Sequence, residues 1–207
     1  TGAGGGFGEG IASAYVKEGA RVIVADINAQ AAQRVAQSLG SQASAFTCDV
    51  TRADQVQSLV AHGVATFGIP DIVVNNAGTT HKNRPMLEVD EATFDKVFNV
   101  NVKSIFHMTH AVLPHLRQKG GGVILNIAST AGVSPRPNLN WYNSSKGWVN
   151  TATRTMAVEL APFGVRVNAL NPVAGETPLL TSFMGEDTPE MRAKFLSTIP
   201  LGRFSTA

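Results

Sequence analysis

Cysteine is almost missing from this chain, which has only Cys48 among its 207 residues. One thiol cannot form a disulfide within the chain, and such scarcity is typical of a reducing compartment, so we expect a cytoplasmic protein. Long apolar runs are also missing, and none approaches the roughly 18 residues that a membrane-spanning helix needs. The formal net charge is only +2, and the basic residues are scattered. The sequence therefore predicts neither a nucleic-acid partner nor a membrane partner.

Short apolar runs alternate with helical patterns along the chain. The strand candidates are residues 21–25, 43–48, 71–75, 122–127 and 165–170. The helix candidates are residues 8–18, 29–39, 53–67, 91–117 and 142–161. The strand runs carry apolar residues on both faces, as strands covered by helices on two sides do. This alternation predicts an α/β fold with a doubly wound parallel sheet, Rossmann-like and three-layered.

We expect a single domain over residues 1–207, in which the Pro-, Gly-, Thr- and Ser-richer stretch 173–207 forms a substrate lid. The chain opens directly on TGAGGGFG, without the strand that normally leads into a phosphate-binding turn. That strand lies centrally in a doubly wound sheet. The C-terminus likewise stops at PLGRFSTA, without a closing helix and strand. We therefore expect a fragment that lacks the first and last strands of the sheet.

The opening turn fits the pattern T-G-x-x-x-G-x-G through Thr1, Gly2, Gly6 and Gly8. The stricter G-x-G-x-x-G pattern fails because Phe7 stands where its last glycine would fall. Gly2 permits a tight turn, Gly6 lets a diphosphate approach the backbone, and Gly8 opens a helix whose N-terminal N–H groups favour an anion. A flexible glycine loop is the alternative. The helix and the strand pattern that follow favour dinucleotide binding.

Asp26 ends the run RVIVAD, 24 residues after Gly2. A carboxylate at this place accepts hydrogen bonds from the adenosine ribose hydroxyls and repels a 2′-phosphate. Positions 5 and 28 are Gly and Asn, so neither supplies a cation for such a phosphate. These residues predict NAD rather than NADP. The alternative is that Asp26 caps the next helix.

Tyr142 and Lys146 form a Y-x-x-x-K pair within a predicted helix, which places both side chains on one face. A phenol has a pKa of roughly 10, and a nearby ammonium is expected to lower that pKa and make the phenol a usable base. Ser129 follows a strand, where its hydroxyl can hold a substrate oxygen. Asn101 can hold a water that links Lys146 to solvent. Each feature alone is commonplace, but their joint order behind a phosphate turn indicates an oxidoreductase site.

These features resemble the short-chain dehydrogenase/reductase family over nearly the whole chain. Further matching stretches are CDV at 48–50, NNAG at 75–78, VNVKS at 100–104, NIAST at 126–130 and VNALNPVAGET at 167–177. The resemblance implies a catalytic centre of Asn101, Ser129, Tyr142 and Lys146. The residues that it implies at the cofactor are Gly2, Gly5, Gly6, Phe7, Gly8, Asp26, Asp49, Val50, Asn76, Ala77, Gly78, Tyr142, Lys146, Pro172, Val173 and Thr177.

The sequence departs from the family pattern after the last predicted strand, and this departure points to a subset of the family. The family's usual Pro-Gly is Pro172-Val173 here, as in a subset similar to acyl-carrier-protein ketoreductases and sugar or small-alcohol dehydrogenases. The implied reaction is NAD-dependent hydride transfer between the nicotinamide and a secondary alcohol or ketone, with Tyr142 as general acid and base. The implied assembly is a homo-tetramer or homo-dimer. The five histidines lack acidic or cysteine partners at a metal-binding spacing, so no metal is expected.

Two other functions share some of these motifs. A regulator that senses NAD without turnover would use the same turn, although it has no need for the Y-x-x-x-K pair. A nucleotide-sugar epimerase or dehydratase would use that pair but normally carries a larger C-terminal substrate domain. Substrate specificity is expected in residues 79–87, 134–141 and 175–205, where His81 and Arg136 are the only hints of chemistry.

Overall fold

Five strands form two parallel sheets in this protein, whose computed structural model describes residues 1–207. They are β1 (Val22–Asp26), β2 (Ala43–Thr47), β3 (Ile72–Asn75), β4 (Gly122–Ile127) and β5 (Val165–Leu170). β1 pairs with β2, and β3, β4 and β5 pair in that order, always in parallel. The five strands predicted from the sequence are confirmed, with ends that differ by at most one residue.

Eight α-helices precede, connect and follow the strands. They are α1 (Gly6–Lys17), α2 (Ala29–Leu39), α3 (Ala53–Phe67), α4 (Glu91–Phe98), α5 (Ser104–Lys119), α6 (Asn140–Leu160), α7 (Leu180–Met184) and α8 (Pro189–Leu196). Short 3₁₀ turns occupy Gly40–Gln42, Met86–Glu88, Thr130–Gly132 and Ala161–Phe163. Asn28 and Asp90 cap α2 and α4, because each side chain accepts a hydrogen bond from a backbone N–H of the first helical turn.

The helix predicted over 91–117 is divided. A π-helical turn over Asn99–Lys103 separates α4 from α5. The widened turn surrounds Asn101, whose side chain bonds the backbone of Thr79 instead of facing solvent. Such wide turns are rare and often mark functional sites. The interruption follows from these tertiary bonds, which the helical pattern of the sequence does not show.

Alternate residues of β1 pack into two different apolar clusters. Val22 and Val24 contact the cluster under α1 and α2, whereas Ile23 and Ala25 contact the cluster under α3 and α5. Because successive strand residues point to opposite faces, helices cover this part of the sheet on both sides. The predicted three-layered α/β fold is confirmed. β5 is the exception to the expected two-sided burial, because its alternate residues Arg166, Asn168 and Leu170 are exposed.

β1 and β3 are neighbours that do not pair along their length. Residues 1–3 join them at one edge, since the Thr1 nitrogen donates to Val74 O over 3.1 Å and Ala3 N donates to Ala25 O over 3.1 Å. Below this edge lies a cavity of about 390 Å³ with a mainly apolar lining. The strand expected before Thr1 stays a prediction.

No helix combines the length and apolar character that crossing a bilayer requires.

Candidate active site

A crevice of about 660 Å³ runs along the carboxyl ends of all five strands. Parallel sheets bind ligands at this edge, because the loops that leave the strands converge there. The sequence-predicted site residues that line the crevice are Gly2, Gly5, Gly6, Phe7, Gly8, Asp26, Asp49, Val50, Asn76, Ala77, Gly78, Ser129, Tyr142, Lys146, Pro172, Val173 and Thr177. Asn101 lies behind the lining, buried in the protein.

The glycine turn at one end of the crevice depends on two close approaches. Gly2 has a φ of +61°, and a Cβ there would lie 2.8 Å from the Ala77 Cα. A Cβ on Gly8 would lie 2.1 Å from the Gly2 carbonyl oxygen. α1 begins at Gly6, two residues before the predicted start, so Gly8 serves packing rather than opening the helix. The first N–H groups of α1 have no intrahelical acceptor and can bind an anion.

Asp26 faces the crevice and also braces the turn. Its Oδ2 accepts a hydrogen bond from Gly4 N over 2.9 Å, and its Oδ1 accepts one from Asn28 N over 2.9 Å. The cap of α2 is Asn28, so the alternative role of Asp26 as a helix cap is wrong. Each carboxylate oxygen keeps acceptor capacity for a ligand hydroxyl. Asp49 is held in a similar way, since its Oδ1 accepts bonds from the N–H and hydroxyl of Thr51.

Asn76 ties the middle of the crevice to the glycine turn. Its Nδ2 donates to the carbonyl oxygens of Thr1 and Gly2, both over 2.9 Å. In return, the Thr1 hydroxyl oxygen accepts hydrogen bonds from Asn76 N and Ala77 N, both over 3.2 Å. Thr1 was assigned only to the turn pattern by sequence reasoning, which missed this link. Its position at the start of the motif was the available signal.

Tyr142 and Lys146 are both buried and lie one turn apart near the start of α6. Burial raises the pKa of the Tyr142 phenol above its ordinary value, while the neighbouring Ser129 hydroxyl acts in the opposite direction. Burial also lowers the pKa of Lys146 to about 8, and its Nζ donates to Ile127 O over 2.7 Å. The expected acidification of the phenol by lysine is therefore not found in the cofactor-free protein. Removal from water is the largest cause of the shift at Tyr142 and the cause of the shift at Lys146.

Ser129 reaches the same end of the crevice from the end of β4. Its Oγ accepts a hydrogen bond from Ala131 N over 3.1 Å, which starts the 3₁₀ turn Thr130–Gly132. This turn packs directly on α6, since a Cβ on Gly132 would lie 2.5 Å from the Lys146 carbonyl carbon. The close packing fixes the serine against the helix that carries the phenol and the ammonium.

Asn101 positions this centre from behind. Its Oδ1 accepts from Thr79 N over 2.8 Å, and its Nδ2 donates to Thr79 O and Ser145 Oγ, both over 2.9 Å. The Ser145 hydroxyl in turn donates to Tyr142 O over 2.7 Å. Asn101 therefore connects the loop after β3 to the helix that bears Tyr142. Its expected role in holding a water stays a prediction.

The three segments expected to set specificity come together over the crevice. Asn83 N donates to Ser182 O over 3.0 Å, and the Asn83 side chain donates to Phe183 O over 3.1 Å. Arg84 N donates to Asn138 O over 3.0 Å. Arg136 lines the crevice. His81 is buried outside its lining, with its Nδ1 against Lys82 O, so it offers no contact to a substrate there.

The segment predicted as a lid, residues 173–207, contributes two aromatic residues that sequence reasoning missed. The Phe183 ring lies 4.9 Å from the Tyr142 ring, centroid to centroid, and Phe195 also lines the crevice. At the glycine turn, a Cβ on Gly175 would lie 2.3 Å from the Phe7 ring. The segment after β5 therefore covers both ends of the crevice. The available signal was the presence of phenylalanine in this segment.

Comparison with known proteins identifies a family that the chain matches over most of its length. Residues 1–187 match the family model described as short chain dehydrogenase. The 4-formylbenzenesulfonate dehydrogenase of Comamonas testosteroni is 49% identical over 99% of this chain and 83% of that protein. The 7alpha-hydroxysteroid dehydrogenase of Escherichia coli K12 is 39% identical over 98% and 79%.

A solved structure extends the similarity to the fold. The 3-ketoacyl-(acyl-carrier-protein) reductase from Brucella melitensis, crystallised with NADH, matches with a TM-score of 0.92 and 45% identity. The match covers 98% of this chain and 82% of that one. From the family model, the relatives and this fold, the chain belongs to the short-chain dehydrogenase/reductase family of oxidoreductases.

Proposed function

We propose that this protein transfers a hydride between NAD and a secondary alcohol or ketone, with Tyr142 as the general acid and base. One observation carries the proposal. Ser129, Tyr142 and Lys146 line one end of a crevice whose other end holds an anion-binding turn and the Asp26 carboxylate. A dinucleotide that spans the crevice would bring its reactive end to the phenol. The family membership and the dehydrogenases among its relatives support this reading.

The crevice fits NAD at three places. The glycine turn leaves free N–H groups where a diphosphate binds, and the space beside Gly5 is open, because a Cβ there would meet no atom within 4 Å. Asp26 suits ribose hydroxyls and repels a 2′-phosphate. The NADH in the similar Brucella reductase supports the same choice. Bound nicotinamide would supply the hydride chemistry, while the protein supplies position and charge. Asp49 and Val50 would flank the adenine, and Pro172, Val173 and Thr177 the carboxamide.

The catalytic residues have separate tasks. Because burial raises its pKa, Tyr142 is protonated at neutral pH in the resting protein and can give its proton to the oxygen of a ketone. In oxidation the same oxygen takes the alcohol proton. Ser129 holds the substrate oxygen by hydrogen bonding. Lys146, with a pKa of about 8, is mostly charged at neutral pH and stabilises negative charge on the phenol.

Replacing Tyr142 tests this proposal. Tyr142→Phe removes only the proton-carrying hydroxyl, so kcat should fall about 10²- to 10⁴-fold while the Kd for NADH stays nearly unchanged. The matched control is Tyr15→Phe, because Tyr15 is the only other tyrosine and lies outside the crevice. Steady-state kinetics on a panel of ketones and alcohols, with NADH fluorescence for binding, gives both numbers. Turnover within a few-fold of wild type in Tyr142→Phe would overturn the assignment.

The remaining candidates differ from this one in measurable ways. An NAD-sensing regulator would bind NADH but give no hydride transfer in a single-turnover assay with any member of the panel. Sugars, small alcohols and 3-oxoacyl compounds form that panel, because relatives act on related classes.

We also propose that the protein is a cytoplasmic homo-tetramer or homo-dimer. Exposed apolar side chains on α5 and α6, Phe106, Trp148 and Val158, support self-association.

A further inference from the structure

We propose that the substrate carries a carboxylate or a sulfonate, and that Arg136 binds this group. The inference deepens the proposed function and rests on it. Arg136 lines the crevice in the segment between β4 and α6, close to the catalytic residues in sequence. Its guanidinium forms no ion pair, and none of its nitrogens forms a hydrogen bond. Five N–H donors in a fixed fork therefore remain available for a planar or trigonal anion.

The charge around Arg136 favours an anion. Arg34 and Arg192 form ion pairs with Glu9 and Asp187, whereas no carboxylate pairs with Arg136. The carboxylates that line the crevice are those of Asp26 and Asp49. Asp26 ends β1 and Asp49 follows β2, whereas Arg136 lies in the segment between β4 and α6. An uncompensated cation in a partly water-excluded site attracts an anion more strongly than the same cation on an open surface.

Arg136 is also held in place beside the catalytic helix. The Asn143 side chain donates a hydrogen bond to Arg136 O over 2.7 Å, and Asn143 directly follows Tyr142. The guanidinium carbon lies 4.6 Å from the centroid of the Phe195 ring. Stacking on an aromatic face leaves the edges of a guanidinium, and hence its N–H groups, free. The cation is therefore oriented without being neutralised.

Apolar side chains lie beside both the phenol and the cation. Phe183 packs against the Tyr142 ring, Phe195 lies under the guanidinium, and Leu139 lines the crevice on the same segment as Arg136. A substrate with a reacting carbon at one end, a flat apolar body and an anionic group at the other suits a crevice lined in this way. An aryl ketone or aryl alcohol with a ring carboxylate or sulfonate is the simplest compound of this class.

Two matched pairs of ketones test the inference on the full chain. The pairs are 4-acetylbenzenesulfonate with 4-acetylbenzenesulfonamide, and 4-acetylbenzoate with its methyl ester. Members of a pair share shape and reacting group and differ in charge. We expect kcat/KM with NADH to favour the anion at least tenfold in one or both pairs, mainly through KM, and the pair with the larger ratio identifies the preferred anion. A wild-type protein that reduces the neutral member as well as the anion in both pairs would overturn the inference.

Arg136→Gln should lower the anion-to-neutral ratio of kcat/KM at least tenfold, and Arg136→Lys should restore part of it. Arg203→Gln makes the same charge change on an exposed lid arginine outside the crevice, and its ratio should equal that of wild type. If Arg136→Gln slows both members of a pair equally, the residue serves only to hold the lid through Phe195, and the inference is wrong.

A binding measurement separates this inference from the proposed function. 4-Toluenesulfonate and 4-toluate have no carbonyl to reduce, so calorimetric titration into the NADH-loaded protein measures recognition without chemistry. Binding that is at least tenfold weaker in Arg136→Gln supports the anion site even if no ketone is reduced, a result that would refute the proposed function alone. Equal binding in wild type and Arg136→Gln refutes the anion site even if reduction proceeds.

Discussion

At the scale of single residues, burial shifts the pKa values of the proposed catalytic pair, Tyr142 and Lys146. Tyr142 and Lys146 each lose contact with water, and their pKa values move apart, that of the phenol upward and that of the ammonium downward. The Y-x-x-x-K spacing in the sequence was enough to locate both residues on one helical face. The direction of the pKa shift at Tyr142 depends on the surrounding packing, including the lid residue Phe183, and no local pattern shows that packing.

The lowered pKa of Lys146 predicts a pH dependence of stability. Between about pH 8 and pH 10.5 the unfolded chain binds a proton that the folded chain has released, so the free energy of unfolding rises with pH. Lys146→Met abolishes this titration. From pH 7 to pH 10.5, wild type should therefore gain about 3 kcal/mol relative to the variant. Urea unfolding of both cofactor-free proteins across this range measures the gain.

Lys146→Met keeps the other titrating groups of the chain. Their contributions to the free energy of unfolding therefore cancel when the variant is subtracted from wild type at each pH. Below pH 8 the buried charge of Lys146 lowers the free energy of unfolding of wild type. This destabilisation disappears as the lysine loses its proton above the folded-state pKa. Parallel pH curves for wild type and Lys146→Met would show that the ammonium is not destabilised by burial. An opposite slope would mean that a favourable partner raises its pKa instead.

At the scale of elements, the turn before α1 is the most tightly constrained part of the crevice. Its glycines are recognisable in the sequence by their spacing. Their structural roles differ from those predicted, because α1 begins at Gly6 and Gly8 lies within it. Gly8 allows the backbone of the turn to lie against α1, whereas a Cβ on Gly5 would meet no atom within 4 Å. Spacing identifies the motif, but only the folded contacts show which glycine has no room for a side chain.

The two glycines form a matched pair for mutation. Gly8→Ala places a methyl group 2.1 Å from a backbone oxygen, so the turn must shift. We expect a loss of at least about 2 kcal/mol in the free energy of unfolding and loss of NADH binding. Gly5→Ala, at an extended position with φ of −176°, should lower the unfolding free energy by less than about 1 kcal/mol. Urea unfolding of both variants decides between them, and equal losses would contradict this assignment.

Other elements show where prediction from sequence reached its limit. The strands were predictable because β-branched runs between helical patterns have few alternatives. The π turn around Asn101 was not, because its cause is a set of bonds to Thr79, 22 residues earlier in the chain. The sequence also could not predict the contacts of Gly175 with Phe7 and of Phe183 with Tyr142, because these residues lie far apart in the chain.

At the scale of the whole molecule, the proposed self-association can be tested through α6. Trp148→Arg with Val158→Arg places two charges on its exposed apolar side chains, which are 39% and 76% exposed. If a second copy covers these residues, light scattering coupled to size exclusion should show a smaller species than wild type. Leu87→Arg alters an exposed apolar residue in the 3₁₀ turn Met86–Glu88 instead and should leave the mass unchanged. A wild-type protein that elutes as a monomer would contradict the proposal directly.

The division of the sheet has a consequence for ligand binding. In backbone hydrogen bonding, the β1–β2 pair and the β3–β5 group meet through residues 1–3, beside the side chain of Asn76. A dinucleotide lying in the crevice would touch both groups of strands at once. Its binding energy would then act as an additional cross-link within the fold, so melting temperature should report cofactor occupancy with unusual sensitivity.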